Sequence, residues 1–146
     1  MYTRILVPLD GSKRAELILP HVEDLAIRFE AKIFLFQVVE PPPLVTDATA
    51  PYAVQYEQDF EQRSKEAETY LAGLAGEFQE KKVQARSRLG RGQVVDAIIN
   101  AAEREEADLI ALASHGRTGL SKVFYGSVAA GVLNRIERPL LLIRSR

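Results

Sequence analysis

Short apolar runs alternate along the chain with longer stretches in which apolar residues recur at helical spacing. The apolar runs cover residues 5–9, 33–39, 109–113 and 140–143, and each is bounded by glycine, proline or polar residues. Runs of this length and setting are typical of strands buried on both faces. Residues 82–89 instead alternate apolar with polar side chains, which predicts a half-buried edge strand.

The intervening stretches predict four helices. Residues 13–30, 53–80 and 127–136 each carry an apolar stripe, and a further helix begins after Gly92. Ser12 is placed to cap the first helix, and Pro20, which lacks an amide hydrogen, is expected to kink that helix without breaking it. Strands that alternate with helices predict right-handed crossovers and one open parallel sheet covered on both faces.

Length and composition narrow the function classes. The 146 residues suit a single domain over 1–146, without an internal repeat. The absence of cysteine excludes disulfides, thiolate metal sites and thiol nucleophiles. A formal net charge of −1 predicts neither a nucleic-acid-binding stripe nor a membrane-binding face. With no signal-peptide pattern and no apolar run near the ~20 residues of a membrane span, we expect a cytoplasmic protein.

The candidate chemistry lies in the loops after the first and fourth strands, since ligands of open parallel sheets bind where the winding reverses. The fourth strand is followed by Ser114, His115, Gly116 and Arg117, and the last helix begins at Gly126-Ser127. Glycines allow backbone N–H groups to approach an anion, and a helix N-terminus adds partial positive charge. Asp10 follows the first strand and suits a ribose hydroxyl or a metal-bound water.

Each of these residues taken singly has a purely structural explanation, but their joint placement favours a phosphate site. The P-loop pattern G-x-x-x-x-G-K-[ST] is absent, and no G-x-G-x-x-G follows the first strand. Asp10 stands without the second acid that a phospho-acceptor receiver domain needs. We interpret His115 as loop structure, because no serine or cysteine forms an identifiable triad with it.

The segment from Ala113 reads A-S-H-G, then nine residues, then Gly126-Ser127. This spacing resembles the signature G-x2-G-x9-G-[ST] of the universal stress protein family, with three of its four defining positions matched. The opening segment I-L-V-P-L-D-G-S and the stretch S-H-G-R-T-G-L-S at 114–121 are also similar to that family. The resemblance extends over essentially the whole chain.

The resemblance implies a Rossmann-like fold of the adenine nucleotide alpha hydrolase type, strand order 3-2-1-4-5 and a single ATP-type site. By position, the residues around adenine and ribose would be Pro8, Leu9, Asp10 and Val38. Those lining the ribose and phosphates would be Leu112, Ala113, Gly116, Gly126, Ser127 and Val128, and we add Arg117 from its place in the loop. A Mg²⁺ ion would be held mainly through the phosphates, near Asp10, with no direct protein ligand set.

Ala113 departs from the family motif, which has glycine at this position. If the residue needs a positive φ, its Cβ costs roughly 1–2 kcal/mol, or about a 5- to 30-fold loss of affinity. If its φ is negative, the methyl group matters only where it meets the nucleotide.

The last strand adds a prediction about assembly. It should lie at an edge of the sheet, and an apolar edge strand is a template for pairing with another chain. Family members commonly dimerise through this element, so we predict an antiparallel homodimer with Leu140 to Ile143 at the interface. The function that fits best is a regulatory, dimeric binding module for ATP or a related adenine nucleotide. The alternatives are a slow ATP hydrolase and a nucleotide-free dimeric interaction protein.

Overall fold

The computed structural model describes residues 1–42, 52–115 and 126–145, without the side chains of His115 and Ser145. Within these ranges the strands form one sheet in the order β3-β2-β1-β4-β5, and each neighbouring pair is parallel. The strands are β1 (Arg4–Leu9), β2 (Lys32–Val39), β3 (Ala85–Arg91), β4 (Leu109–His115) and β5 (Leu140–Ser145). The predicted open five-stranded parallel sheet and its strand order are therefore confirmed.

Helices cover both faces of the sheet, as predicted. They are α1 (Leu19–Phe29), α2 (Ala53–Glu80), α3 (Val94–Arg104) and α4 (Ser127–Arg135). Side chains alternate along β1, so Ile5, Val7 and Leu9 pack with α1 and α2, whereas Leu6 packs with α3 and α4. None of the helices in the described ranges has the length and hydropathy needed to cross a bilayer.

The first helical stretch differs from the prediction of one kinked helix. A short 3-10 helix, Ala15–Ile18, comes first, and α1 starts at Leu19 with Pro20 in its first turn. The change of helix type has a simple reason: proline lacks the N–H that a continuous α-helix would use there, and the first turn of a new helix needs no such donor. The N-cap residue of the 3-10 helix is Arg14 and not Ser12 as predicted, but the Ser12 Oγ accepts a hydrogen bond from the N–H of Ala15, the first residue of that helix, at 3.2 Å.

Three strands extend past their predicted ends. β3 runs to Arg91 because Gly90 and Arg91 pair with Val38 and Val39 of β2. β4 and β5 likewise run on to His115 and Ser145 as a paired ladder. These additions lengthen the carboxyl edge of the sheet, where the candidate site lies.

Candidate functional site

A cavity of about 160 Å³ opens at the carboxyl ends of the strands. β1 lies between β2 and β4, so the winding of the chain reverses between β1 and β4, and such a crevice is where open parallel sheets bind ligands. The residues that line the cavity are Pro8, Leu9, Asp10, Arg14, Ala15, Phe36, Val38, Val94, Ile98, Leu112, Ala113, Ser114, Gly126, Val128 and Ala129.

Most of the residues singled out from the sequence come together at this cavity. Those on its wall are Pro8, Leu9, Asp10, Val38, Leu112, Ala113, Gly126 and Val128. Ser127 is exposed and is the first residue of α4, between two wall residues. Gly116 and Arg117 lie outside the described residues, so their predicted roles stay predictions.

The sequence did not single out the rest of the wall. Phe36, Ile98 and Ala129 are buried core residues, and nothing in an apolar pattern separates a core side chain from one that also lines a crevice. Arg14 is different, since a basic residue four positions after Asp10, in the loop after β1, was a usable signal. Its place on the wall adds a cation to the site.

The cavity combines an apolar interior with polar groups. Phe36 is 1% exposed and Leu112 4% exposed, and together with Val38 they supply wide apolar surface. Asp10 and Arg14 add one carboxylate and one guanidinium. An apolar slot with a few placed polar groups suits a flat ring that carries a charged or hydroxylated substituent.

Hydrogen bonds fix the loop after β1. Asp10 Oδ1 accepts a hydrogen bond from the Ser12 N–H at 2.9 Å, which closes an Asx turn. Gly11 inside this turn has φ +85°, a conformation that L side chains rarely adopt. Because one carboxylate oxygen holds the turn, the Asp10 side chain is already oriented at the wall of the cavity.

The N-terminus of α4 meets the same cavity. Gly126 has φ 74° and ψ 150°, and its carbonyl accepts the hydrogen bond from the Ala130 N–H at 3.0 Å. Gly126 has no side chain to cap the N–H groups of the first turn, so these groups and the positive end of the helix dipole face outward. The arrangement is the one in which proteins bind phosphates and other anions.

The backbone at Ala113 answers the part of the question that concerns strain at the missing motif glycine. Ala113 lies inside β4, paired with Ile143, and the described non-glycine residues with positive φ are Glu30, Lys82 and Glu106. The strained alternative therefore does not apply. Leu112 packs in the core against α3 and α4, so the alternation of the strand turns the Ala113 methyl toward the opposite face.

A second, more polar cavity of about 310 Å³ adjoins the first at Val38. It is lined by Gly11, Gln37, Val38, Val39, Arg63, Glu66, Ala67 and Tyr70. Gln37 Oε1 is buried there without a hydrogen-bond partner among the residues that the structure describes. The Tyr70 hydroxyl donates to Glu16 Oε2 at 2.9 Å, and burial followed by this hydrogen bond raises the pKa of Tyr70 well above its usual value. This bond ties α2 to the 3-10 helix beside the main cavity.

The fold and this crevice together define an open-sheet α/β protein with a cavity at its switch point. Residues 1–144 match the model of the universal stress protein family. The chain belongs to the universal stress protein family.

Relatives and solved structures agree with this assignment. The universal stress protein MJ0531 of Methanocaldococcus jannaschii is 28% identical over 144 residues, covering 99% of this chain and 83% of the relative. The solved structure of MJ0577 from the same organism superposes with a TM-score of 0.84 at 24% identity, covering 100% and 98% of the two chains.

Two further solved structures contain nucleotides. A universal stress protein in complex with cAMP has a TM-score of 0.62 at 22% identity, and it covers 99% of this chain and 98% of its own. The universal stress protein from Archaeoglobus fulgidus in complex with dAMP has a TM-score of 0.63 at 17% identity, covering 97% and 98%. At these identities the similarity establishes the shared fold.

Proposed function

We propose that this protein binds ATP or a related adenine nucleotide in the cavity between β1, β4 and the N-terminus of α4. One observation carries the proposal: an apolar cavity at the switch point ends at a helix N-terminus whose N-cap residue, Gly126, has a positive φ and no side chain. An aromatic base fits the apolar part, and phosphate fits the uncapped N–H groups. Two family members solved with cAMP and dAMP support an adenine nucleotide as the ligand class.

The two ends of the nucleotide have separate partners in this proposal. Pro8, Leu9, Asp10 and Val38 surround the base and ribose, with the Asp10 carboxylate accepting from ribose hydroxyls. The residues at the ribose and phosphates are Leu112, Ala113, Gly116, Arg117, Gly126, Ser127 and Val128.

Magnesium enters this site with the phosphates. The part of the chain that the structure describes contains no cluster of three acidic or histidine side chains that could hold an ion by itself. Asp10 is the one carboxylate among the described residues of the cavity wall, so Mg²⁺ is held through the phosphate oxygens with Asp10 nearby.

The first experiment denatures freshly purified protein and chromatographs the released small molecules. The stripped protein is then titrated with ATP and Mg²⁺ by calorimetry. Stoichiometric adenine nucleotide, or saturable binding of added ATP, supports the site. An empty protein without heat of binding at millimolar ATP contradicts the proposal and leaves the nucleotide-free interaction protein.

A variant at the exposed Ser127 separates binding from folding. Ser127→Asp places a carboxylate at the first residue of α4, where it stabilises the helix dipole but repels phosphate. We expect unchanged or higher thermal stability together with ATP affinity lowered on the order of tenfold. Ser127→Asn is the matched uncharged control and should retain most of the affinity. Equal affinities for the two variants would place the phosphates elsewhere.

We further propose that the protein acts as a regulatory homodimer joined antiparallel through β5. The two edges of the sheet differ in a way that favours this element. β3 carries three arginines, which discourage pairing with another chain, whereas β5 begins with Leu140 and continues apolar to Ile143. The leucines of β5 are half-buried, with a row of edge backbone groups beside them. A bound nucleotide next to β4 would act on the interface through the β4–β5 ladder.

A further inference from the structure

Among the cavity-lining residues that the structure describes, Arg14 carries the positive charge, and it lies on the side of the site where α4 begins. The residue immediately precedes the 3-10 helix Ala15–Ile18, which packs on β1, β4 and β5, most extensively on β4. Arg14 is therefore on the β4 side of β1, as are Ala113 and Gly126. The base-binding end proposed above lies on the other side, at Val38.

The charge of Arg14 is available for a ligand. Within the described residues, no carboxylate lies within salt-bridge distance of its guanidinium, while the neighbouring Lys13 pairs with Glu16 at 3.8 Å. Arg14 is exposed, so its side chain can move over the cavity without disturbing the core. A guanidinium also presents parallel N–H donors that match two phosphate oxygens at once.

We propose that Arg14 binds the terminal phosphates of the nucleotide and gives this site a preference for ATP and ADP over AMP and cyclic AMP. The proposal rests on nucleotide binding in the cavity. A helix N-terminus supplies only about half a positive charge, which is less than the negative charge of a single phosphate group. Each additional phosphate brings further negative charge, and Arg14 is the full cation beside that helix end among the described wall residues. Arg14 then contributes to the number of phosphates that the site accepts, in addition to the role proposed above for Arg117.

The test compares the affinities of ATP, ADP, AMP and cAMP for wild type, Arg14→Gln and Arg28→Gln. Arg28 is the matched control, because it is exposed in the last turn of α1. That helix ends just before β2 begins, at the amino-terminal ends of the strands, away from the cavity. Both substitutions remove one positive charge. We expect Arg14→Gln to weaken ATP on the order of tenfold while changing AMP less than about twofold. Arg28→Gln should change neither affinity.

A third variant, Arg14→Lys, separates charge from guanidinium geometry. Lysine keeps the charge but loses the paired donors, so ATP affinity should fall between wild type and Arg14→Gln. Melting curves of all variants check that the exposed substitutions leave the fold intact. Equal weakening of ATP and AMP by Arg14→Gln, or no weakening of ATP, would overturn the role of Arg14 while leaving nucleotide binding in place. A wild-type protein that binds none of the four nucleotides would refute nucleotide binding itself.

Discussion

Gly90 and Phe36 pack together across neighbouring strands so closely that no side chain could replace the glycine hydrogen. A Cβ built on Gly90 would lie 2.4 Å from Cζ of the Phe36 ring and 2.9 Å from Cε2. The ring is buried, and Phe36 also lines the main cavity. The position of Phe36 in the cavity wall therefore depends on the absence of a side chain at Gly90 in the edge strand β3.

Replacing Gly90 by alanine should damage both stability and binding. The added methyl group forces the Phe36 ring to move, and overpacking of a core typically costs about 1–3 kcal/mol. We expect urea unfolding to show a loss of that size, together with weaker ATP binding in calorimetry because the wall of the cavity shifts. Gly73→Ala is the control: Gly73 lies within α2 with nothing within 4 Å of an added Cβ, so that variant should be slightly stabilised. Unchanged stability in Gly90→Ala would show that the ring relocates freely.

The contact between Gly90 and Phe36 also illustrates how far the sequence could lead. Four apolar runs and one alternating stretch, separated by helical stretches, were enough to predict the strands, helices and parallel sheet, because burial on one or both faces of a strand determines the pattern of its apolar residues. Strand order came from the family resemblance. The end of β3 could not be predicted, since Gly90 belongs to the strand through its pairing with Val38 and through the ring of Phe36.

The residues of the candidate site likewise fall into those that the sequence could predict and those that it could not. Polar and glycine positions such as Asp10 and Gly126 could be found from the sequence, because ligands of open parallel sheets bind in the crevice outside the carboxyl ends of the strands. The apolar wall could not, since Phe36 and Ile98 have the same pattern as any core residue. The backbone conformation at Ala113 also had to come from the structure, because alanine is compatible with either of the conformations considered.

Asp108 joins the amino-terminal ends of β1 and β4. The cavity lies at the opposite, carboxyl-terminal ends of the strands. Its Oδ2 accepts hydrogen bonds from the Thr3 hydroxyl at 2.6 Å and the Thr3 N–H at 2.8 Å, and its Oδ1 accepts from the Arg4 N–H at 3.1 Å. Burial opposes ionisation, but these hydrogen bonds outweigh it and hold the pKa of Asp108 below its usual 3.8. A lowered pKa means that the folded state favours the ionised form.

The Asp108 carboxylate should therefore stabilise the fold above the unfolded-state pKa and lose this contribution as the pH falls through the lower folded-state pKa. Asp108→Asn should cost about 1 kcal/mol at pH 7, because the group is partly exposed and its charge is screened. The difference between wild type and variant in urea unfolding should shrink between about pH 5 and pH 2. ATP affinity should be unchanged, since Asp108 lies at the far edge. A difference that stays constant over this pH range would contradict the role of the charge.

The predicted homodimer can be tested with a leucine-to-lysine substitution in β5, and the same substitution at a leucine outside β5 serves as the control. Leu142→Lys places a charge in the apolar edge strand, so the proposed dimer should dissociate to a monomer in light scattering. Leu133→Lys makes the same change on α4 at a leucine that is already 50% exposed, and it should remain dimeric. Leu142 is half-buried and packs against the core beside α3 and α4, so circular dichroism and thermal melting of both variants must show an intact fold. A folded Leu142→Lys that stays dimeric would exclude β5 as the interface, and a monomeric wild type would exclude the homodimer.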